Sequence, residues 1–120
     1  MVSKVIQKNR LYSAQKQNNR CFYCGLPMWH KANRIEFLQA YKLSGKQARW
    51  LQCTAEHKTA RSDGGGNERH NIAAACRYCN EKRHQCLKPL NAEDYQKHVG
   101  ARMARRKWFP ESILLPMLQS

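Results

Sequence analysis

Apolar residues recur at helical spacing near the start of the chain. Residues 2–17 place Val5, Ile6, Leu11 and Tyr12 among long polar side chains and contain no proline or glycine. This pattern predicts an amphipathic α-helix, and the asparagines that follow it are expected to end the helix. We therefore assign residues 1–20 to an N-terminal helix and its end.

A second helical pattern lies at residues 32–43, where Ile35 and Leu38 belong to a loose apolar stripe. A Ser-Gly pair stops this helix, and a short basic turn follows at residues 46–49. We interpret residues 29–49 as an inserted helical arm.

Two short strands are predicted in the middle of the chain, on either side of a glycine-rich loop. Residues 50–54 combine apolar and β-tolerant side chains, and a strand there would deliver Glu56 and His57 at its end. The loop over residues 58–70 contains three consecutive glycines and cannot be a regular element. Residues 71–75 form a weaker return strand, because three of them are alanines.

The last third of the chain is predicted to be helical. Cys76 opens a helix that runs to about residue 87, where a Lys-Pro pair ends it. Asn91 is placed to cap a further helix over residues 92–107, whose first turn is acidic and whose far end is basic, as the helix dipole favours. Pro116 interrupts the apolar run that follows, and we interpret that segment as a tail.

The charge of the chain narrows the choice of partners. Its 120 residues include 22 lysines and arginines against 8 aspartates and glutamates, for a formal net charge of +14. Such a surface attracts polyanions, nucleic acid first among them. The basic segments lack the apolar face of a membrane-surface helix, and no apolar stretch suits a signal peptide or a membrane span. We expect a cytoplasmic, single-domain protein that does not bind membranes.

Four of the six cysteines form two C-x-x-C pairs, which are Cys21 with Cys24 and Cys76 with Cys79. Each pair can place two sulfurs on one tetrahedral zinc ion at about 2.3 Å, and four thiolates leave no open position for water. We therefore predict a structural zinc site built from residues 21–28 and 76–79. Redox-active thiols or disulfides are the alternatives, and a reducing compartment disfavours them. The other two cysteines have no partner at motif spacing.

A second set of residues has the donor types of a hard-metal site. Asn80 and His84 are four residues apart, so a helix places them on one face. Glu56 would add a carboxylate from the strand, and the three donors suit a hard divalent cation with room for water and a phosphate oxygen. The side chain of His57 leaves the strand on the opposite side, where it could activate water. A metal-binding group with a separate residue that activates water suits phosphodiester hydrolysis.

The chain resembles the HNH, or ββα-metal, nucleases that carry a zinc knuckle. The resemblance lies in the segments CFYC, EHKTARSDGGGN, HNI and CRYCN, which begin at Cys21, Glu56, His70 and Cys76, and it covers about half of the chain. It implies an α+β fold, in which a ββα-metal core over residues 50–88 is flanked by helices.

The resemblance also implies a role for each site residue. His57 is the general base, Asn71 holds the loop of the base in shape, and Asn80 is a metal ligand. Glu56 stands where the family has an acidic or histidine ligand, and His84 stands where some members place a last histidine ligand and others have none. The implied reaction is hydrolysis of DNA with one Mg²⁺, or Mn²⁺ or a similar ion, leaving 5′-phosphate and 3′-hydroxyl ends.

Two features depart from compact members of that family. The insertion between the zinc knuckle and the first strand is longer, and the long loop lacks the proline often found there, which affects only the stiffness of the loop. The chain also continues after the core into a basic helix and tail over residues 89–120.

Binding to DNA, double-stranded in the first instance, would rest on phosphate contacts from lysine and arginine and weaken with salt. For any one basic residue, a solvated surface role is an equal alternative. The candidate contacts are Arg61, Arg69, Lys82, Arg83, Arg102, Arg105 and Arg106.

Two other classes of protein compete with the nuclease. A zinc-ribbon module that binds nucleic acid without cutting it would have the same charge and the same four cysteines, but it has no need of Glu56, His57, Asn80 and His84. A scaffold protein would use the C-terminal apolar tail for docking and show no metal-stimulated cleavage. The sequence leaves open whether the chain is a monomer or a homodimer.

Overall fold

The computed structural model describes residues 3–119, and in that range the chain forms a two-stranded sheet and six α-helices. The elements are α1 (Lys4–Lys16), α2 (Arg34–Ala40), α3 (Gly45–Arg49), β1 (Cys53–His57), β2 (Ile72–Cys76), α4 (Arg77–His84), α5 (Ala92–Ala104) and α6 (Glu111–Leu118). This mixture of helices and one antiparallel pair confirms the predicted α+β class. Within residues 3–119, every helix is too short or too polar to cross a membrane.

The two strands form an antiparallel hairpin that lies between helices. Cys53 pairs with Cys76 at one end and His57 with Ile72 at the other. All five residues of β2 are buried, because α1 and α4 both pack against this strand. Its three alanines have no bulk to keep those helices away, and tertiary packing here outweighs the low β-propensity of alanine.

Polar side chains fasten α1 to the backbone of β2. The Ser13 hydroxyl donates to the carbonyl oxygen of Ile72. The Gln17 amide, one residue after the helix, donates to the carbonyl of Ala74 and accepts from its N–H. The helix is thus fixed in register with the strand as well as packed against it.

The first strand lies three residues later than predicted. Residues 50–52 continue the turn at the end of α3, where Leu51 and Gln52 donate their N–H groups to the carbonyls of Ala48 and Arg49. Glu56 and His57 consequently lie inside β1 and do not follow it. Because successive side chains of a strand point to opposite faces, these two residues are directed to different sides of the sheet.

The helices after the sheet begin as predicted and end earlier. The Asn91 side chain accepts a hydrogen bond of 2.9 Å from the N–H of Asp94 and so caps α5. However, α4 ends at His84 and α5 at Ala104, three residues short of the prediction in each case.

The segment that we interpret from the sequence as a C-terminal tail forms the helix α6. Pro116 lies inside α6, where it lacks the N–H that would bond to the carbonyl of Ser112. The side-chain amide of Gln47, in α3, donates to that carbonyl at 3.1 Å instead. Ile113, Leu114 and Met117 are buried in the core, so the apolar run covers the interior.

Candidate active site

The four predicted zinc ligands lie together. One sulfur from each of Cys21, Cys24, Cys76 and Cys79 lies within 4.8 Å of the other three. Three of these side chains are buried and Cys24 is half-buried. The sequence brings them together because the first pair lies in a turn beside β2, while the second pair begins α4 at the end of the same strand.

The surroundings of the sulfurs fit a cation bound by thiolates. Backbone N–H groups of Tyr23 and Cys76 point at the Cys21 sulfur at 3.3 Å. The Trp108 indole donates to the Cys79 sulfur at the same distance. Donors aimed at sulfur favour its anionic form. A closed set of four cysteines is the donor set of structural zinc.

The pKa shifts within the cluster are those expected of closely spaced, buried thiols. Burial tends to raise the pKa of Cys21, but hydrogen bonds with the other three cysteines outweigh it and lower that pKa. Burial and hydrogen bonding with Cys21 raise the pKa of Cys76 and of Cys79. The cluster alone therefore disfavours the thiolates of Cys76 and Cys79, and a divalent cation in its centre would stabilise them.

The turn that carries the first cysteine pair also positions an aromatic hydroxyl. Gly25 ends this turn with a φ of 76°, a conformation that glycine adopts without strain. Tyr23, between the two cysteines, donates its hydroxyl to Oε2 of Glu56 at 2.9 Å. Burial and the Glu56 carboxylate raise the pKa of Tyr23, so the phenol remains a donor.

Glu56 is a buried carboxylate whose two oxygens have different partners. Its side chain is 2% exposed. Oε2 accepts from Tyr23 and from Nη1 of Arg83, the latter at 3.0 Å. Oε1 lies 2.9 Å from Nε2 of His84, whose side chain is 41% exposed. The carboxylate is thus held from one side and directed at a solvent-accessible imidazole on the other.

Arg83 is not placed to bind DNA, and that prediction was wrong. It is 4% exposed, and besides Glu56 and Tyr23 its guanidinium donates to the carbonyl oxygens of His57, Lys58 and Leu90. Its position in a basic helix suggested a surface residue, but this side of α4 faces the sheet. The buried arginine neutralises Glu56 and ties down the end of β1.

Asn80 lies on the same side of the sheet as Glu56. Its Nδ2 donates to Oγ1 of Thr54 at 3.0 Å and to the carbonyl of Ala55 at 3.2 Å. These bonds occupy the nitrogen of the amide, and the oxygen accepts no hydrogen bond from the described residues. The Glu56 carboxylate, the His84 imidazole and the amide oxygen of Asn80 are therefore available as ligands for a divalent cation. A cavity of about 570 Å³ opens beside His84.

His57 lies apart from these three residues, on the other side of β1. Its Nε2 lies 2.9 Å from Oδ1 of Asn67 and 3.4 Å from Nε of Arg61. Among the described residues, no hydrogen bond joins its ring to Glu56, Asn80 or His84. The side chains of His57 and Glu56 thus leave β1 on opposite faces.

Asn71 spans the loop between the strands. Its amide accepts from the N–H of Thr59 and donates to the carbonyls of Thr59 and Gly66. Gly65 fits closely against this network, because a Cβ there would collide with the Thr59 carbonyl. Asn71 therefore braces, from inside, the loop that carries Asn67.

The remaining basic residues lie in three parts of the structure. Arg61 and Arg69 are exposed and belong to the loop beside His57, and the Arg69 guanidinium lies 3.9 Å from the centre of the Tyr12 ring. Exposed Lys82 lies over the Tyr78 ring. Arg102, Arg105 and Arg106 lie at the C-terminal end of α5, whereas the first turn of that helix adjoins the cysteine cluster, where the Tyr95 hydroxyl donates to the Cys79 carbonyl.

Two residues of the site were missed from the sequence. Tyr23 holds Glu56, and Asn67 contacts His57. Tyr23 lies between two cysteines and Asn67 follows three glycines, so both positions were visible. Neither residue stands at a regular spacing from its partner, because each contact forms only when separate parts of the chain come together in the fold.

Removing one sulfur of the cluster should release the metal. We expect one zinc ion per chain after gel filtration of the wild-type protein, and a large loss of zinc in Cys79→Ser, since only three thiolates remain. Atomic absorption measures the metal content. The control is Cys86→Ser, which alters an exposed cysteine outside the cluster and should keep its zinc. Equal zinc loss in both variants would contradict the assignment.

Removing the buried cation next to Glu56 should destabilise the fold. Arg83→Met leaves a buried carboxylate without its partner, and we expect the free energy of unfolding to fall by about 3–5 kcal/mol. Urea titration of the zinc-loaded protein measures this. Lys82→Met, at the neighbouring exposed position, should change stability by less than about 0.5 kcal/mol. Similar values for both variants would show that the Arg83 charge does not stabilise the fold.

The comparisons with known proteins identify the family. The family model for HNH endonuclease matches residues 21–85, more than half of the chain. This segment contains the cysteine cluster, both strands and α4. No curated protein and no solved structure matches the chain. The match confirms the resemblance seen in the sequence, and the chain belongs to the HNH endonuclease family.

Proposed function

We propose that this protein is a metal-dependent endonuclease that hydrolyses phosphodiester bonds in DNA. The observation that carries the proposal is the pair formed by Glu56 and His84. A buried carboxylate directs one oxygen at an exposed imidazole, 2.9 Å away, beside an open cavity. Buried carboxylates are costly unless they are paired or hold a cation. A module that only binds nucleic acid has no use for such a pair.

The metal ligands of the proposed site are Glu56, Asn80 and His84. Tyr23 and Arg83 fix the orientation of the carboxylate from behind, as residues surrounding a metal site commonly do for its ligands. The carboxylate and amide oxygens suit Mg²⁺, Mn²⁺ or a similar ion, whereas the imidazole of His84 is a ligand that transition-metal ions prefer. When bound, this ion supplies positive charge that stabilises the phosphate and the leaving oxygen in the transition state.

His57 is the proposed general base. Glu56 and His57 are consecutive residues, so their Cα atoms are about 3.8 Å apart, although their side chains leave β1 on opposite faces. A phosphate group lying across the end of β1 can therefore meet both. His57 takes a proton from water as the water oxygen bonds to phosphorus. The bond from phosphorus to the 3′ oxygen breaks, and that oxygen takes a proton from solvent, which leaves 5′-phosphate and 3′-hydroxyl ends.

The basic residues beside the loop are the proposed contacts to the DNA backbone at the site of cleavage. Arg61 lies against His57, and Arg69 is held over Tyr12 two residues after Asn67. Lys82 is exposed on α4 and could contact the same strand of DNA. Arg102, Arg105 and Arg106 lie at the C-terminal end of α5 and are the proposed contacts to the flanking duplex, and Arg106 also pairs with Glu111.

The decisive test of this proposal is plasmid digestion by the zinc-loaded protein with and without Mg²⁺. Loss of a general base lowers catalysis by about 10²–10⁴-fold, so His57→Ala should lose cleavage to that extent while it still binds DNA. The control is His70→Ala, which changes an exposed histidine in the same loop region and should cut like the wild type. Sequencing of the products defines the ends.

Two results would contradict the proposal in different ways. Cleavage that persists in His57→Ala would remove the assignment of the base. Binding of DNA without cleavage, with Mg²⁺ or Mn²⁺, would favour the zinc-ribbon binding module, the alternative function that the charge and the cysteine cluster also support.

A further inference from the structure

The His57 ring contacts a side chain that comes from the glycine-rich loop. Oδ1 of Asn67 lies 2.9 Å from Nε2 of His57, ten residues along the chain. The loop cannot easily move away from the ring, because Asn71 holds its Thr59 and Gly66 carbonyls from inside. The contact thus joins the proposed base to a braced part of the loop.

This contact selects one form of the imidazole. A carbonyl oxygen can only accept a hydrogen bond, so the ring nitrogen facing it carries the proton. A neutral imidazole has one ring proton, and Nδ1 is then left with its lone pair. We infer that Asn67 is a positioning residue, which holds His57 as the Nε2–H tautomer and leaves Nδ1 as the atom that accepts a proton from water. The catalytic part of this inference rests on the function proposed above.

Arg61 would select the opposite tautomer. Its Nε–H can only donate, and it approaches the same Nε2 at 3.4 Å. The Asn67 contact is shorter by half an ångström, and Arg61 is an exposed side chain whose position nothing else in the described residues fixes. The geometry therefore favours Asn67, and the two contacts make opposite predictions about where the proton resides.

The N-terminal helix supports Asn67 from the other side. Nδ2 of Asn9, in α1, donates to the backbone carbonyl of Asn67 at 2.7 Å. Asn9 is only 8% exposed, so this amide is committed to the contact. Ser13 and Gln17 fix α1 to β2 further along the helix. A chain of contacts thus runs from β2 through α1 and Asn67 to the ring of His57.

This support is an addition to the family segment. The HNH match begins at residue 21, whereas α1 covers Lys4–Lys16. The helix therefore does more than complete the core, because it provides the support behind the residue that orients the base. Loss of the Asn9 contact should loosen His57 without touching any metal ligand.

The direct test is nitrogen-15 NMR of the histidine rings in the full, zinc-loaded chain, at mildly alkaline pH where histidines are neutral. His57 is assigned by comparison with His57→Ala. We expect the Nε2–H tautomer in the wild type and a shift towards Nδ1–H in Asn67→Ala. Asn67→Asp keeps an acceptor oxygen at the same length and should retain Nε2–H. Asn9→Ala should shift in the direction of Asn67→Ala, by less.

Cleavage kinetics provide the second readout. Removing a partner that orients a site histidine typically costs about 10–100-fold in activity. We expect Asn67→Ala to lower kcat by that factor with KM for DNA unchanged, and Asn67→Asp to recover most of the loss. Ser62→Ala, an exposed position in the same loop, is the matched control and should leave both the tautomer and kcat unchanged.

The inference and the proposed function fail in different ways. A wild-type Nδ1–H tautomer, or an unchanged tautomer in Asn67→Ala, would overturn the role of Asn67 even if DNA is cut. If the tautomers are as expected but the protein cuts no DNA, the nuclease proposal is contradicted and the positioning of His57 by Asn67 still holds.

Discussion

The cluster of four cysteine sulfurs determines how the other elements of this protein meet. Cys21 and Cys76 are 55 residues apart in the chain, yet the N–H of one donates to the sulfur of the other. The cluster thereby fixes the first turn of the matched segment against the start of α4. Tyr23 lies inside that turn and reaches Glu56. The soft-metal cluster therefore does more than stabilise a small fold, because it also places a hydroxyl on the carboxylate of the proposed catalytic site.

A second constraint is the buried pair of Glu56 and Arg83. A carboxylate removed from water needs compensation, and here an arginine and a phenol hold one of its oxygens while the other faces His84. The same arginine binds the carbonyl oxygens of His57 and Lys58. One side chain thus orients the proposed metal ligand and fixes the end of the strand where the proposed base projects. The proposed metal ligand and the proposed base are thus both positioned by one guanidinium.

Local patterns in the sequence predicted those parts of the molecule whose partners lie at fixed spacing. The two cysteine pairs, the Asn91 cap and the placement of Asn80 and His84 on one helix follow from helix and turn geometry. The structure differs where the outcome depends on distant contacts. Pro116 is tolerated in α6 because Gln47 bonds to the carbonyl that it leaves unpaired. Arg83 is buried although its neighbours in the sequence are polar. Asn67 contacts His57 only because the fold of the loop brings the two side chains together. None of these three outcomes has a signal within one element.

Two sets of candidate metal ligands lie a few residues apart on one helix, with cysteines at the start of α4 and an amide and an imidazole towards its end. We propose that Glu56, Asn80 and His84 hold one divalent cation. The most direct measurement is the paramagnetic broadening caused by Mn²⁺ in the NMR spectrum of the zinc-loaded protein. The account predicts broadening centred on these three residues, extending to His57, and lost in a Glu56→Gln, His84→Ala double variant that keeps its zinc. Broadening centred elsewhere, or unchanged in that variant, would contradict it.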